Sequence, residues 1–369
     1  VKIDRVELHH LCMELVHPFQ TSFGTQTHHP CVLVSVHGGG RVGWGECTVG
    51  LGPFYSGETI SSAWYLLTEF LVPMVLGRDL SHPSEVPALL QRVRDNEMTK
   101  AGLENAIWDL FGRVTNQSVM RMIGGVRPRV PVGVSIGMES STSVLLDRVA
   151  MFLDQGYRRV KIKIRRGQDH QPMAAIRARY PDLQLMADAN SDYRLCDIDA
   201  LRRLDDLNLL MMEQPLAAHD IIDHGKLQAQ LKTPICLDES IHHEDDARHA
   251  IELLACRIIN IKLGRVGGMC SAIAIHNLAQ AANIPVWCGG MFETGVGRAM
   301  NLAMASLPNF TLPGDISATD KYFREDITEP FFLNREDSTM TVPTGPGIGV
   351  EVAPERLARF GVRHATFTV

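Results

Sequence analysis

Six charged residues of this chain fall at intervals that chemistry could use. Lys161 and Lys163 stand two apart in "RRVKIKIRRG"; from Lys163, the residues Asp188, Glu213, Asp238 and Lys262 follow at steps of 25, 25, 25 and 24. Val160, Ile162 and Ile164 alternate with the two lysines, a period of two that predicts a strand with both ammonium groups on one face. A regular step of this size is one strand–helix unit, so each charge closes a successive strand at the same level. The resulting order, Lys, Asp, Glu, Asp, Lys, gathers three carboxylates in a cleft where they repel one another. A divalent cation resolves that conflict. Oxygen ligands without Cys or His favour Mg²⁺, with Mn²⁺ as a substitute. A single acid after a strand is ordinarily a helix cap or a solvated loop residue. Five charges in register, with lysines bracketing the acids, are not explained that way.

Such a site suits removal of a proton next to a carboxylate. A metal ion on the substrate carboxylate stabilises the charge that forms when the neighbouring carbon loses its proton. A lysine can act as the base only when neutral, against an ordinary pKa of ~10.4. The ion and the neighbouring Lys161 would both push Lys163 towards that state. Lys262, on the opposite side, would stabilise the intermediate or serve the other face of the reacting carbon. Schiff-base chemistry on a lone lysine, with "ETGVGRA" as a phosphate-binding turn, is the competing enzyme class, but three acids would be unwelcome around a phosphate. A non-catalytic binding role would require the five charges to persist without a metal.

The elements that must position these residues are legible in the same pattern. After "IGGVRPR", short apolar strands alternate with amphipathic helices: "VPVGVSI", "RVKIKI", "LQLMAD", "LNLLMME", "TPICLDE", "RIINIK", "IPVWCGG" and "NFTLPGD". Eight strands with helical crossovers specify an α/β parallel barrel. Ahead of them, "KIDRVELHHLCMEL", "CVLVSVHG" and "GGGRVGWGEC" predict antiparallel strands, and residues 59–114 read as helices at three-and-four spacing. The expected division is an α+β capping domain over residues 1–125, a barrel over 126–320, and a segment 321–369 packing back on the cap.

Composition agrees with a globular chain: 369 residues, 45% apolar, 21% charged. A formal charge of −6 gives no electrostatic reason to expect nucleic acid or an anionic membrane as partner. No apolar run approaches the ~20 residues of a membrane span. The N-terminus shows no signal-peptide pattern, so a cytoplasmic protein is expected. The eight cysteines are scattered without a C-x-x-C pair and read as reduced, buried small hydrophobes. The fifteen histidines include the pairs His28-His29 and His242-His243 but no H-E-x-x-H, and no histidine metal site is expected.

With these residues in place, "KIKI", "LMADAN", "MEQPL", "CLDES", "NIKLGRVGG" and "CGGMFETGVGRA" resemble the enolase superfamily, in its muconate-lactonising subgroup. The match is closest to the o-succinylbenzoate synthase / N-succinylamino acid racemase family and covers nearly the whole chain. The resemblance implies a modified (β/α)7β TIM barrel with an N-terminal α+β capping domain. It implies metal ligation by Asp188, Glu213 and Asp238, with Lys163 and Lys262 as the acid/base pair. Lys161 and Asn190 would support substrate and metal, and Glu239 would sit beside the ligands. Ser135, Gly290, Met291 and Glu293 match pocket positions. Ser22 and Phe23 fall in the early "FQTSFGTQTHH" segment; residues 19–27 and 51–58 are the expected mobile loops of the cap. The implied substrate is a small carboxylate, and a homo-oligomer is expected. The implied activity is Mg²⁺-dependent dehydration to o-succinylbenzoate in menaquinone biosynthesis, with N-acylamino acid racemisation as the alternative. A dipeptide epimerase is disfavoured, because "LPGDIS" carries Asp315 without a second aspartate two residues away. The strand "VWCGGM" also lacks the late histidine of the mandelate-racemase-like subgroups. Arg265, three residues past Lys262, is open to two readings, a charge that tunes Lys262 or a structural ion pair.

Overall fold

The computed structural model describes residues 1–21 and 24–369. Its N-terminal half is built on a four-stranded antiparallel sheet of order β13-β1-β2-β3. These strands are β1 (Arg5–Thr21), β2 (Gly24–Gly38), β3 (Arg41–Cys47) and, from the far end of the chain, β13 (Gly361–Thr368). Val6 and Leu8 alternate with Arg5, Glu7 and His9, so one face is apolar and buried. That face packs on the helix Glu97–Thr115, and two glycines of β3 set the distance. A Cβ at Gly43 would stand 2.2 Å from Leu110 N, and one at Gly45 2.2 Å from Gly102 O. Only glycine admits a helix backbone that close.

The second sheet is parallel, with seven strands in the order β11-β10-β9-β8-β7-β6-β5. They are β5 (Val134–Ile136), β6 (Arg159–Lys163), β7 (Gln184–Asp188), β8 (Met211–Glu213), β9 (Ile235–Leu237), β10 (Ile258–Ile261) and β11 (Val286–Cys288). The eighth predicted strand, "NFTLPGD", is reduced to two isolated bridges, Val286↔Phe310 and Val132↔Gly314. Asp315 N donates to Cys288 O at 2.8 Å and Gly133 N to Gly314 O at 2.8 Å, which joins the two edges of the curled sheet. Pro313 has no N–H to extend that ladder, which is why the closure stays short. A small antiparallel pair, β4 (Arg129–Pro131) with β12 (Thr339–Thr341), precedes the barrel.

Two expectations change here. Within the segment 19–27, where a mobile loop is expected, the described residues are paired as strands: Phe19 with Gln26, Gln20 with Thr25 and Thr21 with Gly24. These pairs lie beyond a register shift between Glu14 and Phe19. Ser22 and Phe23 lie outside the described residues. All eight cysteines are free; Cys31, Cys47, Cys236, Cys256 and Cys288 are buried, Cys12 and Cys270 half-buried, whereas Cys196 is exposed.

Candidate active site

The charges stand where the strand period puts them. Lys163, Asp188 and Glu213 end β6, β7 and β8, with Lys163 in register with Asp188 and Asp188 with Glu213. Asp238 and Lys262 directly follow β9 and β10. Along β6, Val160 and Ile162 join the apolar cluster that contains Val149, Met173 and Ile176 of the flanking helices. Arg159, Lys161 and Lys163 therefore face the barrel interior. Beneath them Met186, Met211, Cys236, Ile258 and Trp287 form an apolar plug, one residue from each of five strands. The Lys161 ammonium lies 5.0 Å from the centre of the Trp287 ring.

Every lysine in this layer holds an acid. Lys161 Nζ reaches Glu213 Oε2 at 2.7 Å, Asp315 Oδ2 at 2.7 Å and Asp188 Oδ2 at 3.0 Å. Lys163 Nζ donates to Asp188 Oδ2 at 2.6 Å and Asn190 Oδ1 at 2.7 Å. Lys262 Nζ donates to Asp238 Oδ2 at 2.9 Å and to the Tyr55 hydroxyl at 3.0 Å. Arg265 pairs with Asp238 and also donates to Ile241 O and Asn260 O at 2.7 and 2.5 Å. It is thus a buried structural ion pair that also touches the Lys262 network through Asp238 and Tyr55. Arg159, fully buried, donates to Asp315 Oδ1 at 2.6 Å. Asn260 Nδ2 donates to Glu213 Oε1 at 2.8 Å, and Asn190 Nδ2 to Glu239 Oε1 at 2.8 Å.

These contacts set the protonation balance. Burial alone would raise Asp188, but the Lys163 and Lys161 charges outweigh it and hold the carboxylate well below its ordinary range. Glu213 goes the other way, raised by burial and by the charge of Asp188. Burial would lower Lys161, yet Asp315, Glu213 and Asp188 together raise it well above an ordinary lysine. Lys262 is likewise raised, because Tyr55, Glu213 and Glu239 outweigh its burial. The buried lysines serve as counter-ions to these acids.

Above the network lies a cavity of about 350 Å³, lined by Lys161, Lys163, Lys262, Asn190, Ser135, Gly290 and Met291 among others. Phe19, Phe292 and Tyr322 give it an aromatic wall, with Phe292 edge-on to both other rings at 5.0 Å. Ser135 Oγ is buried without a hydrogen-bond partner. Lys321 anchors the end of β5 by donating to Ser135 O at 2.8 Å, and burial pushes its ammonium down to about 7. Glu293 stands behind Gly290, outside the described lining, where its Oε1 accepts from Asn301 Nδ2 at 2.9 Å.

The cap closes the site from above and braces it from behind. Tyr55, in the segment 51–58, lays its ring 4.6 Å from the Lys262 ammonium. Glu46, at the end of β3, accepts from Thr294 N and Thr294 Oγ1, from Gly297 N, and from His29 Nε2 at 2.9 Å. This carboxylate occupies the N-terminus of the helix Gly295–Ala305, so the "ETGVGRA" turn is satisfied by the protein's own acid and not by a phosphate.

Asp188, Glu213 and Asp238 offer carboxylate oxygens only, the donor chemistry that suits Mg²⁺. Glu239 Oε2, buried next to Asp238, has no hydrogen-bond partner. Glu239 thus retains acceptor capacity beside the three acids, whose own oxygens hold Lys161, Lys163, Lys262, Arg265 and Asn260, and it is the all-oxygen donor chemistry of the layer that fits the ion. Sequence reading missed Arg159, Asn260, Asp315 and Tyr55 as parts of this network. Arg159 lies two before Lys161 and Asn260 two before Lys262, so the same strand period could have found both. Asp315 and Tyr55 carry no such signal.

A capped parallel barrel with a charged layer at its strand ends defines a class of barrel enzymes. Comparison with known families makes the class specific. Residues 145–356 match the enolase C-terminal domain-like family, and residues 5–124 match the mandelate racemase / muconate lactonizing enzyme N-terminal domain family. The chain belongs to the enolase superfamily, whose enzymes are generally Mg²⁺-dependent. It is 46% identical over 369 residues to the o-succinylbenzoate synthase of Bacillus subtilis, covering 100% of this chain and 99% of that one. It is also 46% identical over 358 residues to an N-succinylamino acid racemase of an Amycolatopsis species, covering 97% of each. An enolase-superfamily crystal structure from Listeria innocua superposes with a TM-score of 0.96 at 41% identity, covering 100% of this chain and 99% of that one. Among the described residues no helix is long and apolar enough to cross a membrane.

Proposed function

We propose that this chain is a Mg²⁺-dependent o-succinylbenzoate synthase, removing a proton next to a carboxylate and expelling hydroxide to complete an aromatic ring. The observation that carries this reading is the approach of Lys163 and Lys262 to one cavity from either side of Asp188, Glu213 and Asp238. Those three acids would hold the ion, which supplies Lewis-acid stabilisation of the charge developing on the substrate carboxylate. Mn²⁺ would be an acceptable substitute.

Lys163 takes the α-proton. Its links to Asp188 and Asn190 aim the nitrogen at the cavity, and Asn190 in turn is fixed by Glu239. Lys161, locked by three acids, stays charged and orients carboxylates. Lys262 faces the other side of the substrate. Ser135, Gly290 and Met291 contact its remainder, while Tyr55 and the aromatic wall exclude water. A cap of residues 1–125 on a barrel of 126–320, with 321–369 returning to the cap, is the division we propose for these tasks.

Racemisation of N-succinylamino acids is the second reading, favoured by the same pair of lysines on opposite sides of one cavity and by the equal similarity to relatives of both names. Turnover of the cyclohexadiene precursor to o-succinylbenzoate, measured beside α-proton exchange of N-succinylamino acids in deuterated buffer, tests both. Dehydration that requires added Mg²⁺ is expected. Absence of both reactions in the metal-loaded protein overturns the assignment.

A further inference from the structure

The outer face of the cap sheet carries a second convergent group, remote from the barrel cavity. Glu7 and His9 lie two apart on β1 and share a face; His9 pairs directly across with His364 of β13. His9 Nε2 stands 3.6 Å, and His364 Nε2 4.0 Å, from the same oxygen, Glu7 Oε2. All three donor atoms lie within 4.8 Å of one another. A tetrahedral ion with bonds of ~2.0–2.1 Å spaces its ligands ~3.4 Å apart, so modest side-chain rotation closes the set.

Further details fit a ligand. His9 Nε2 is buried and has no hydrogen-bond partner, which is costly for a polar atom unless something binds it. Arg5 Nε lies 3.2 Å from Glu7 Oε1, leaving Oε2 turned towards the imidazoles. His37 Nε2 is 3.7 Å from Glu7 Oε2, but its Nδ1 accepts from Arg5 Nη2 at 2.8 Å, so a neutral His37 keeps its proton on Nε2 and the fourth position is left to water. The His364 side chain is 53% exposed, which leaves an entry route.

We propose that Glu7, His9 and His364 form a Zn²⁺ site that clips the C-terminal strand β13 to β1. Mixed imidazole and carboxylate ligands select a borderline ion such as zinc over Mg²⁺, so this site differs in chemistry from the barrel centre. Strand β13 is an edge strand with no fully buried residue, held by its ladder to β1, by Ala365 and Phe367 against the cap core and by Arg363 over the Trp64 ring, and the ion would add a side-chain clip to these contacts. No local pattern marks the cluster, because Glu7 and His9 stand more than 350 residues from His364 along the chain.

Full-length, tag-free protein saturated with Mg²⁺ is titrated with zinc chloride by calorimetry. Zinc retained after gel filtration is counted, and thermal midpoints are recorded. One zinc per chain with a raised midpoint is expected in the wild type. His364→Ala and Glu7→Gln should each weaken zinc binding at least about tenfold, with Mg²⁺-dependent turnover unchanged. Co²⁺ in place of zinc should give tetrahedral d–d absorption that both variants lose. Equal zinc retention by wild type and both variants, or displacement of the zinc by Mg²⁺, overturns the site.

Discussion

Replacement of Lys163 by alanine separates catalysis from folding in this protein. The variant loses an ammonium 2.6 Å from Asp188 Oδ2, but Asp188 keeps Lys161 at 3.0 Å. The acid is not left unpaired, and the cost is that of one charged hydrogen bond, about 1.5–3 kcal/mol. A native domain with about 5–15 kcal/mol of stability remains folded. Loss of a positioned general base removes ~10²–10⁴ in rate, or about 3–5 kcal/mol of barrier. Turnover in the dehydration assay at saturating Mg²⁺ should fall by that factor while the circular dichroism spectrum and cooperative melt are retained. For N-succinylamino acids the loss is asymmetric. Lys163→Ala should abolish α-deuterium exchange of one enantiomer, and Lys262→Ala that of the other. A folded Lys163→Ala protein keeping more than about a tenth of wild-type turnover would refute the assignment of the base.

Three more outcomes follow from the packing. Asp315→Asn leaves fully buried Arg159 without its carboxylate and removes one of three from Lys161; a loss of about 3–5 kcal/mol is expected in urea denaturation, and an unchanged midpoint would show that the pair contributes nothing. Gly45→Ala sets a Cβ 2.2 Å from Gly102 O and 2.5 Å from Ala106 N, both helix backbone, so strand and helix must part at a cost of about 1–3 kcal/mol or more, read as a lowered melting temperature. Glu104 is pushed up to about 7 by burial, from an ordinary value of 4.5. Its folded form binds the proton more tightly than the unfolded chain, so stability is greatest below the unfolded pKa and falls by about 3 kcal/mol as pH rises from ~4.5 to ~7. Glu104→Gln should flatten that fall, because a Gln oxygen can still accept from Cys270 N and Trp108 Nε1; equal slopes in wild type and variant between those pH values would contradict the buried-acid account.

Much of the site was legible because it obeys two periods. The alternation of "RVKIK" fixes the face of each lysine, and the repeat of one strand–helix unit fixes the level of each acid. Both are properties of local geometry, so neither needs knowledge of the fold's closure. The same alternation contained Arg159 and Asn260, unread because neither stood at a strand end. The segment 19–27 reads two ways for a local reason as well. Its Gly, Ser and Thr content suits a lid, but threonine also suits paired strands, and the structure pairs Thr25 with Gln20 and Thr21 with Gly24.

What the chain's own order determines is the cast of the barrel layer: which residues point inward, and that acids lie between lysines. Only the tertiary structure decides how those charges are shared. Lys161 takes three acids while Lys163 takes one, and Asp315 enters from the bridging segment that joins the edges of the sheet. Tyr55 and Glu46 reach the barrel from the cap, and Glu7, His9 and His364 meet from the two ends of the sequence. Strand period acts over neighbours two residues apart, whereas these partners are joined by closure of a barrel and by packing between remote segments. Charge balance at such contacts depends on distance in space, and spacing along the chain does not encode it.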